Sequence, residues 1–377
     1  MAASQHILIS ASNDDVRETS DTTLNTNSFT VAVGRNANAE DVDLGLRFTP
    51  VNIAQGAKIT SAHLYLQRTA AAGNSFAGIF KGINVDNCAP WATNDRPSQR
   101  PKTSATVTYS PSTLAWGVNR YFEIDVTPIV QEIINRPGWA SGNALGLVWE
   151  NNQTASTSQT RTVQTFDGNS NRAPRLVIAT SDSKILYARR SASTEPNTAN
   201  QLLEAAGTTS TAYSLAAGYP ANSVIQDFVT EVGVPSALRF DAGDWIFILK
   251  GRPETEFTIG EQTVWHKLYK RANGVNTALF TTTAIDPVIY VAAANDTLLP
   301  IISNQAAIVL TPTDKLFWEV LSTETFGDSG ISIQVEDSTA ITGFQTRIIT
   351  PKYIPIWIAS NPDTEIPLPE KKGVVAY

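Results

Sequence analysis

The feature that most constrains this chain is the repeated alternation of short β-branched and aromatic runs with clusters of Gly, Pro, Asn, Asp and Ser. Runs this short, carrying residues that pack well on a pleated surface, read as strands of sandwiches or barrels. In the first half they fall at residues 5–10, 29–33, 44–48, 58–67, 105–109, 120–126, 144–149, 161–166 and 174–179. Within 58–67, Ile59, Ala62, Leu64 and Leu66 are offset against polar neighbours from Ser61 onward, which predicts one buried face and one face in water. In the second half the runs fall at 184–191, 212–217, 222–231, 244–250, 256–259, 264–271, 276–282, 288–292, 307–310, 315–321, 330–335 and 344–349. The expected fold class is all-β: two β-sandwich, jelly-roll-like domains in tandem, with one short helix in the first.

That helix begins at Thr127, a residue type that caps helices, followed by Pro128 in the first turn. Ile129, Val130, Ile133 and Ile134 make an apolar stripe, and Asn135-Arg136-Pro137-Gly138 stops it. A second short helix is expected over Asn197 to Ala206, ended by Gly207. Asn273-Gly274 signals a hairpin between 265–271 and 277–281, with a loop longer than two residues. KLFWEVLST and ISIQV read as another antiparallel pair, with Gly327 and Gly330 in the turn. No repeat of 20 to 50 residues is evident, which disfavours solenoids and propellers.

A chain of 377 residues exceeds what one core serves well. The turn Ser181-Asp182-Ser183 divides it into a domain at 1–181 and a second at 182–358, followed by an extended arm at 359–377. Around that arm, Ile354, Ile356, Trp357, Ile358, Ile366 and Leu368 are apolar among the prolines Pro355, Pro362, Pro367 and Pro369. Such a segment docks on a neighbouring subunit or lies back over its own sandwich; the sequence leaves both open.

Hydrophobic residues are 42% of the chain and charged residues 17%, a folded composition with an uncharged surface. The net charge of -7 provides no cationic field for phosphate backbones, so nucleic acid is not an expected partner. No run of about 18 to 20 apolar residues is long enough to cross a bilayer. The first twenty residues lack the basic-then-apolar pattern of an export signal, which predicts a protein made in the cytoplasm. Cys88 is the only cysteine, so there is no internal disulfide and no cysteine-rich zinc site.

Triads and most metal sites need histidine, and only His6, His63 and His266 exist. All three are expected to be solvated surface residues. Hydrolase elbows, zinc-protease helices, phosphate-binding loops and dinucleotide fingerprints are absent. Asp14, Asp15, Glu40, Asp41, Asp43 and Asp86 lie in or near predicted loops. They are read as solvated turn residues, with a glycosidase pair or a structural calcium as the alternatives. Trp91 and Trp116 lie in Pro-, Asn- and Ser-rich segments, where a tryptophan either stacks a sugar ring or plugs the end of a core. Trp245 and Trp318 are expected in a core or an interface. No catalytic residue, cofactor or metal ligand is assigned.

Four segments in order carry a resemblance: SASNDDVRET, LGLRFTPVNIAQGAKITSAHLYL, DVTPIVQEIINRPGWASGNALGLVW and QTFDGNSNRAPRLVI. Over residues 5–180 the chain resembles the DNRLRE-type domain, a carbohydrate-binding-module-like jelly roll of bacterial and archaeal surface proteins and some phage virion proteins. The resemblance implies framework roles: Pro137-Gly138 ends the helix, Trp139 anchors the turn and Ala144 to Trp149 enters a core strand. DAGDWIFILKGRP, VWHKLYKRANGVNTALFTTT and TDKLFWEVLSTET in the second half are similar to sandwich domains of tailed-phage structural proteins.

The function expected from these features is that of a non-enzymatic virion structural protein of a bacteriophage, such as a capsid decoration protein, head fibre or tail component. Its expected partners are other virion proteins and further copies of itself, as in a trimer, with a host surface glycan as a further candidate. The alternatives are a carbohydrate-binding surface protein or receptor-binding module, and a polysaccharide-degrading enzyme with an acidic pair.

Overall fold

The computed structural model describes residues 2–20, 22–69, 77–109, 121–152, 159–189, 192–193, 200–204, 211–215, 220–231, 234–235, 237–253, 262–282, 287–288, 297–322, 331–335 and 346–355. The fold is all-β and of sandwich type, with a single α-helix among the described residues. The first module runs β1 (Ser4–Leu8), β2 (Asp15–Thr19), β3 (Leu24–Asn25), β4 (Thr30–Arg35), β5 (Asp41–Phe48) and β6 (Ile59–Gln67). It continues with β7 (Gly78–Ile83), β8 (Lys102–Tyr109), β9 (Tyr121–Asp125), α1 (Thr127–Ile134), β10 (Leu145–Asn151), β11 (Gln159–Gln164) and β12 (Arg175–Thr180). One sheet has the order β1-β12-β6-β9, and the facing sheet has β11-β4-β5-β10-β7-β8 with β2 and β3 joined through β5.

Alternation along the strands builds the core between these sheets. Ala62, Leu64 and Leu66 of β6 meet Leu176 and Ile178 of β12, and across the gap Leu44, Leu46 and Phe48 of β5 and Leu147 and Trp149 of β10. Trp149 stacks on Phe80 with ring centres 5.0 Å apart. Helix α1 contacts β6 of one sheet and β7 and β8 of the other, closing one end of the sandwich with Ile129, Val130, Ile133 and Ile134 buried. Thr127 does not cap it: Val126 occupies the cap position, and the Thr127 hydroxyl accepts the Ala62 N–H at 2.8 Å, tying helix to strand. Strands β2, β3 and β7 lie where none was expected, because Asp15, Arg17 and Glu18 or Gly78 and Gly82 dilute the β-branched pattern.

The second module runs β13 (Ser183–Ala188), β14 (Asn200–Leu203), β15 (Thr211–Leu215), β16 (Val224–Thr230), β17 (Ala237–Phe240), β18 (Gly243–Pro253) and β19 (Gln262–Ala272). Then follow β20 (Val275–Thr281), β21 (Pro287–Val288), β22 (Thr297–Gln305), β23 (Ile308–Val309), β24 (Lys315–Ser322), β25 (Ile331–Val335) and β26 (Arg347–Pro355). Its main sheet has the order β15-β25-β18-β26-β13-β14-β16-β24-β19-β20. Strands far apart in that order meet face to face: Phe247 of β18 stacks on His266 of β19 at 4.7 Å, and Trp245 of β18 meets Phe280 of β20 at 5.7 Å. The sheet therefore curls around its own apolar side chains.

Four expectations are corrected here. The region read as a helix from Asn197 contains β14 instead, with Asn200 and Leu202 buried in strand alternation beside a parallel β16. The hairpin at Asn273-Gly274 has a two-residue loop, since Ala272 pairs with Val275. Both loop residues have positive φ, 51° and 78°, as a tight primed turn requires. KLFWEVLST and ISIQV are not partners: β24 lies between β16 and β19, whereas β25 lies between β15 and β18. Strands β17 and β22 also lie where none was expected. The expected strand at 256–259, Trp116 and all of 356–377 lie outside the described residues.

No β-ladder among the described strands crosses the turn at Ser181-Asp182. The two sheet systems are nevertheless joined face to face. Tyr65, Tyr121, Val177 and Ala179, on the outer side of the β1-β12-β6-β9 sheet, belong to the apolar cluster of the second module together with Leu186, Ile246 and Ile348. The polar side of β6 thus meets a second protein layer and not water. A buried tyrosine covers roughly 150–250 Å², so at about 25 cal/mol per Å² Tyr65 and Tyr121 together contribute on the order of 8 kcal/mol of gross burial.

Candidate functional site

Every histidine departs from the solvated role expected of it. His63 stands on the outer side of β6, its side chain 19% exposed, with Nδ1 2.8 Å from the Ser61 hydroxyl and 3.6 Å from Glu123 Oε1. Burial lowers its pKa, with Arg347 adding to that and Glu123 opposing it. His6 on β1 has a buried Nε2 without a hydrogen-bond partner; burial, then the Arg175 charge, lowers its pKa to about 3. His266 is fully buried, accepts the Trp318 indole N–H on Nδ1 at 3.1 Å, and is lowered by burial to about 3.

Between the modules these groups surround a buried charge network. The Arg347 guanidinium of β26 donates to the Glu123 carboxylate of β9, and the Tyr65 hydroxyl donates to the same oxygen at 2.7 Å. Burial pushes the Glu123 carboxyl up, but Arg347, His63 and Tyr65 outweigh it and hold the carboxyl below its usual range. The same contacts outweigh burial at Arg347 and hold its guanidinium above its own. Beside them the Ser4 hydroxyl donates to the Asp244 carbonyl at 3.1 Å, and the Arg175 guanidinium lies over the Tyr121 ring at 5.1 Å.

The loop acids are committed to structural bonds. Asp14 pairs with Arg47 at 2.7 Å, Asp41 with Arg35 at 3.0 Å and Asp86 with Arg136 at 2.7 Å. Glu40 accepts the Asn36 amide at 2.7 Å and Asp43 accepts the Asn151 backbone N–H at 3.1 Å. Asp15 accepts the Phe166 N–H at 2.7 Å; burial, with Asp167 and Asp14 adding to it, raises its carboxyl to about 7. Burial, with Glu150 the largest charge beside it, raises Asp43 to about 7 as well. Among the described residues no three His, Cys, Asp or Glu side chains are grouped to hold a metal ion.

Trp91 is not an exposed sugar platform. It is 3% exposed and packs with Val16, Ile83, Cys88, Ala144 and Val148 over the outer side of β5 and β10. A Cβ added to Gly45 would lie 3.1 Å from its ring, so the close approach depends on that glycine. The Arg100 guanidinium covers the ring at 4.1 Å while donating to the Ala89 and Pro90 carbonyls and to Asp95. Trp245 and Trp318 are fully buried in the second module.

Among the described strands β20 pairs with β19 alone and ends the sheet order, and Val275, Asn276, Thr277 and Ala278 along it are exposed. Beside it lies an open depression of about 340 Å³ lined by Lys270, Thr277, Ala278, Leu279 and the 305–309 segment. The backbone of Ile354, the first residue of the expected docking set, pairs with Arg239 of β17.

No family model matches the chain, and no curated protein matches it. Among solved structures it is similar to a CocE/NonD family hydrolase from Staphylococcus aureus, at 10% identity and a TM-score of 0.29 over 45% of this chain and 36% of that one. It is also similar to infectious bursal virus derived T=1 particles, at 8% identity and a TM-score of 0.21 over 93% and 73% of the two chains. A CBM22 tandem domain from Paenibacillus barcinonensis Xyn10C matches at 8% identity and a TM-score of 0.20 over 83% and 87%. The chain thus spans about a third of the hydrolase. At these scores the likenesses carry no argument, and the functional reading rests on this chain's own residues.

Proposed function

We propose that the chain is a non-enzymatic structural component of a bacteriophage virion, built on a DNRLRE-like sandwich and working through protein contact. The observation that supports this most is the face-to-face fusion of the two modules through the buried Arg347, Glu123 and Tyr65 cluster. A fixed two-module body holds its outer surfaces at constant spacing, which is what a repeating particle asks of each subunit. His6 and His266 are taken up by the packing of the sheets, and Asp14 and Asp15 by an arginine and a backbone N–H, so these groups support the framework. Function then resides in contact area and shape.

The test is to purify particles from a culture of the source strain after induction and to locate the chain by mass spectrometry and by antibody labelling in electron micrographs. The expected result is a fixed copy number per particle and label at one position on it. Its absence from particles, together with retention on a bacterial polysaccharide column, would overturn the reading.

A further inference from the structure

The joint between the modules carries two histidines. Cross-strand partners in an antiparallel sheet share a face, and the registers of the β1-β12-β6-β9 sheet place His6, Val177, His63 and Asp125 in one transverse row. The next row holds Leu8, Arg175, Tyr65 and Glu123. Val177 and Tyr65 belong to the apolar cluster of the second module, so both rows lie on the side that it covers. Strand β1 packs on β18 and β26 there, and the Ser4 hydroxyl, two residues from His6 on the same face, reaches the Asp244 carbonyl.

The charges around these rings lean toward the positive. Arg175 faces His6, whose Nε2 is buried without a hydrogen-bond partner. His63 faces Glu123 and Asp125 of β9 and Arg347 of β26. Glu123 attracts a proton to His63, but Arg347 and Tyr65 already donate to its Oε1, and Asp125 is exposed and accepts the Thr127 N–H. Elsewhere at the joint the Asp244 side chain accepts the Asn304 amide, Tyr187 faces Arg347, and Lys352 pairs with Asp182 at the exposed rim. A proton on either ring therefore enters a layer that already sets two guanidiniums, Arg175 and Arg347, against the buried Glu123 carboxylate. Both histidines are accordingly held below their ordinary pKa, with burial the largest cause.

We propose that this joint is opened by acid: protonation of His6 and His63 parts the two modules below about pH 6 while each module stays folded. The chain permits the motion, because no β-ladder among the described strands crosses the turn at Ser181-Asp182. Once the modules are apart, both rings are solvated and titrate at about 6.5. Each then shifts the balance between closed and open forms tenfold per pH unit below that value, so at pH 5 the two together shift it by up to about a thousandfold. The closed form keeps its full advantage above about 6.5 and loses it as pH falls toward the lowered values. At neutral pH the body is closed, as the assembly reading needs; the acid response goes beyond that reading.

The test follows the purified full chain from pH 7.5 to 4.5 by small-angle X-ray scattering. A compact chain of 377 residues has a radius of gyration of about 21 Å, and the open form should exceed it by roughly a tenth or more. Tryptophan emission should stay unshifted through that step, since the buried Trp149 in the first module and Trp245 and Trp318 in the second report on the two cores. The sequence holds three histidines, so ring NMR resolves each: His6 and His63 should gain protons with the expansion, and His266, inside the second core, should not. The variant His6→Gln with His63→Gln should remain compact at pH 5. Constant dimensions in a folded parent, expansion that coincides with exposure of the tryptophans, expansion without protonation of either ring, or a double variant that expands at the parent's pH would each overturn the proposal. If the double variant does not fold, scattering and NMR of the parent decide alone. These readouts involve no particle, so such a failure leaves the assembly reading to its own test.

Discussion

Arg347 and Glu123 lie 224 residues apart in sequence and form an ion pair buried between the two modules, their side chains 5% and 0% exposed. The Tyr65 hydroxyl donates to the same carboxylate. Removing one partner strands the other charge in a dry interface, which costs about 3–5 kcal/mol, whereas a matched apolar or neutral pair costs much less. Arg347→Met is therefore expected to lower the unfolding free energy by about that amount, and Glu123→Gln with Arg347→Met to recover at least half. Urea denaturation of the three variants and the parent checks it; equal losses in single and double variants would refute the pairing.

Asp15 predicts a change in the opposite direction. Its carboxyl is raised to about 7, so the folded chain keeps a proton that the unfolded chain releases above about 4. The cost of ionising it is fully present above pH 7 and recedes as pH falls toward the unfolded value. Asp15→Asn keeps an acceptor for the Phe166 N–H and carries no charge. It is expected to stabilise the protein by on the order of 3 kcal/mol more at pH 8 than at pH 5, because part of the cost is still present at pH 5 and vanishes only below about 4. Denaturation midpoints at the two pH values decide the matter.

His266 contributes acid sensitivity. Its folded pKa near 3 means that below about 6.5 the unfolded state takes up a proton that the folded state refuses. Stability is lost from pH 6.5 down toward 3, at a limiting slope of about 1.4 kcal/mol per pH unit for this residue. His6 adds a loss of the same sign. His266→Gln keeps an acceptor for the Trp318 indole and removes that slope. The readout is the stability difference between variant and parent from pH 6 to 4.5, in which Asp15 and Asp43 cancel; a difference independent of pH would contradict the neutral buried ring.

Trp91 separates framework from recognition. Enclosed by Val16, Ile83 and Val148 and covered by Arg100, it is expected to cost about 3–5 kcal/mol when replaced by alanine. Retention on polysaccharide affinity gels should be the same before and after the change, at a temperature where both proteins are folded. Loss of retention without loss of melting temperature would restore the sugar-stacking role.

The sequence by itself determined whatever depends on neighbours along the chain. The alternation of Ala62, Leu64 and Leu66, the stripe from Ile129 to Ile134 and the place of the turn at Asn273-Gly274, though not its two-residue length, follow from spacing and φ preferences. Tertiary structure decided what each surface meets. Ser61, His63 and Tyr65 read as a wetted face, since a polar group bonded to a distant Glu123 or Arg347 has the same spacing in sequence as one bonded to water. Trp91 read as a loop residue for a like reason: the strands it covers arrive from elsewhere in the chain, and only their packing shows which side of the ring is left.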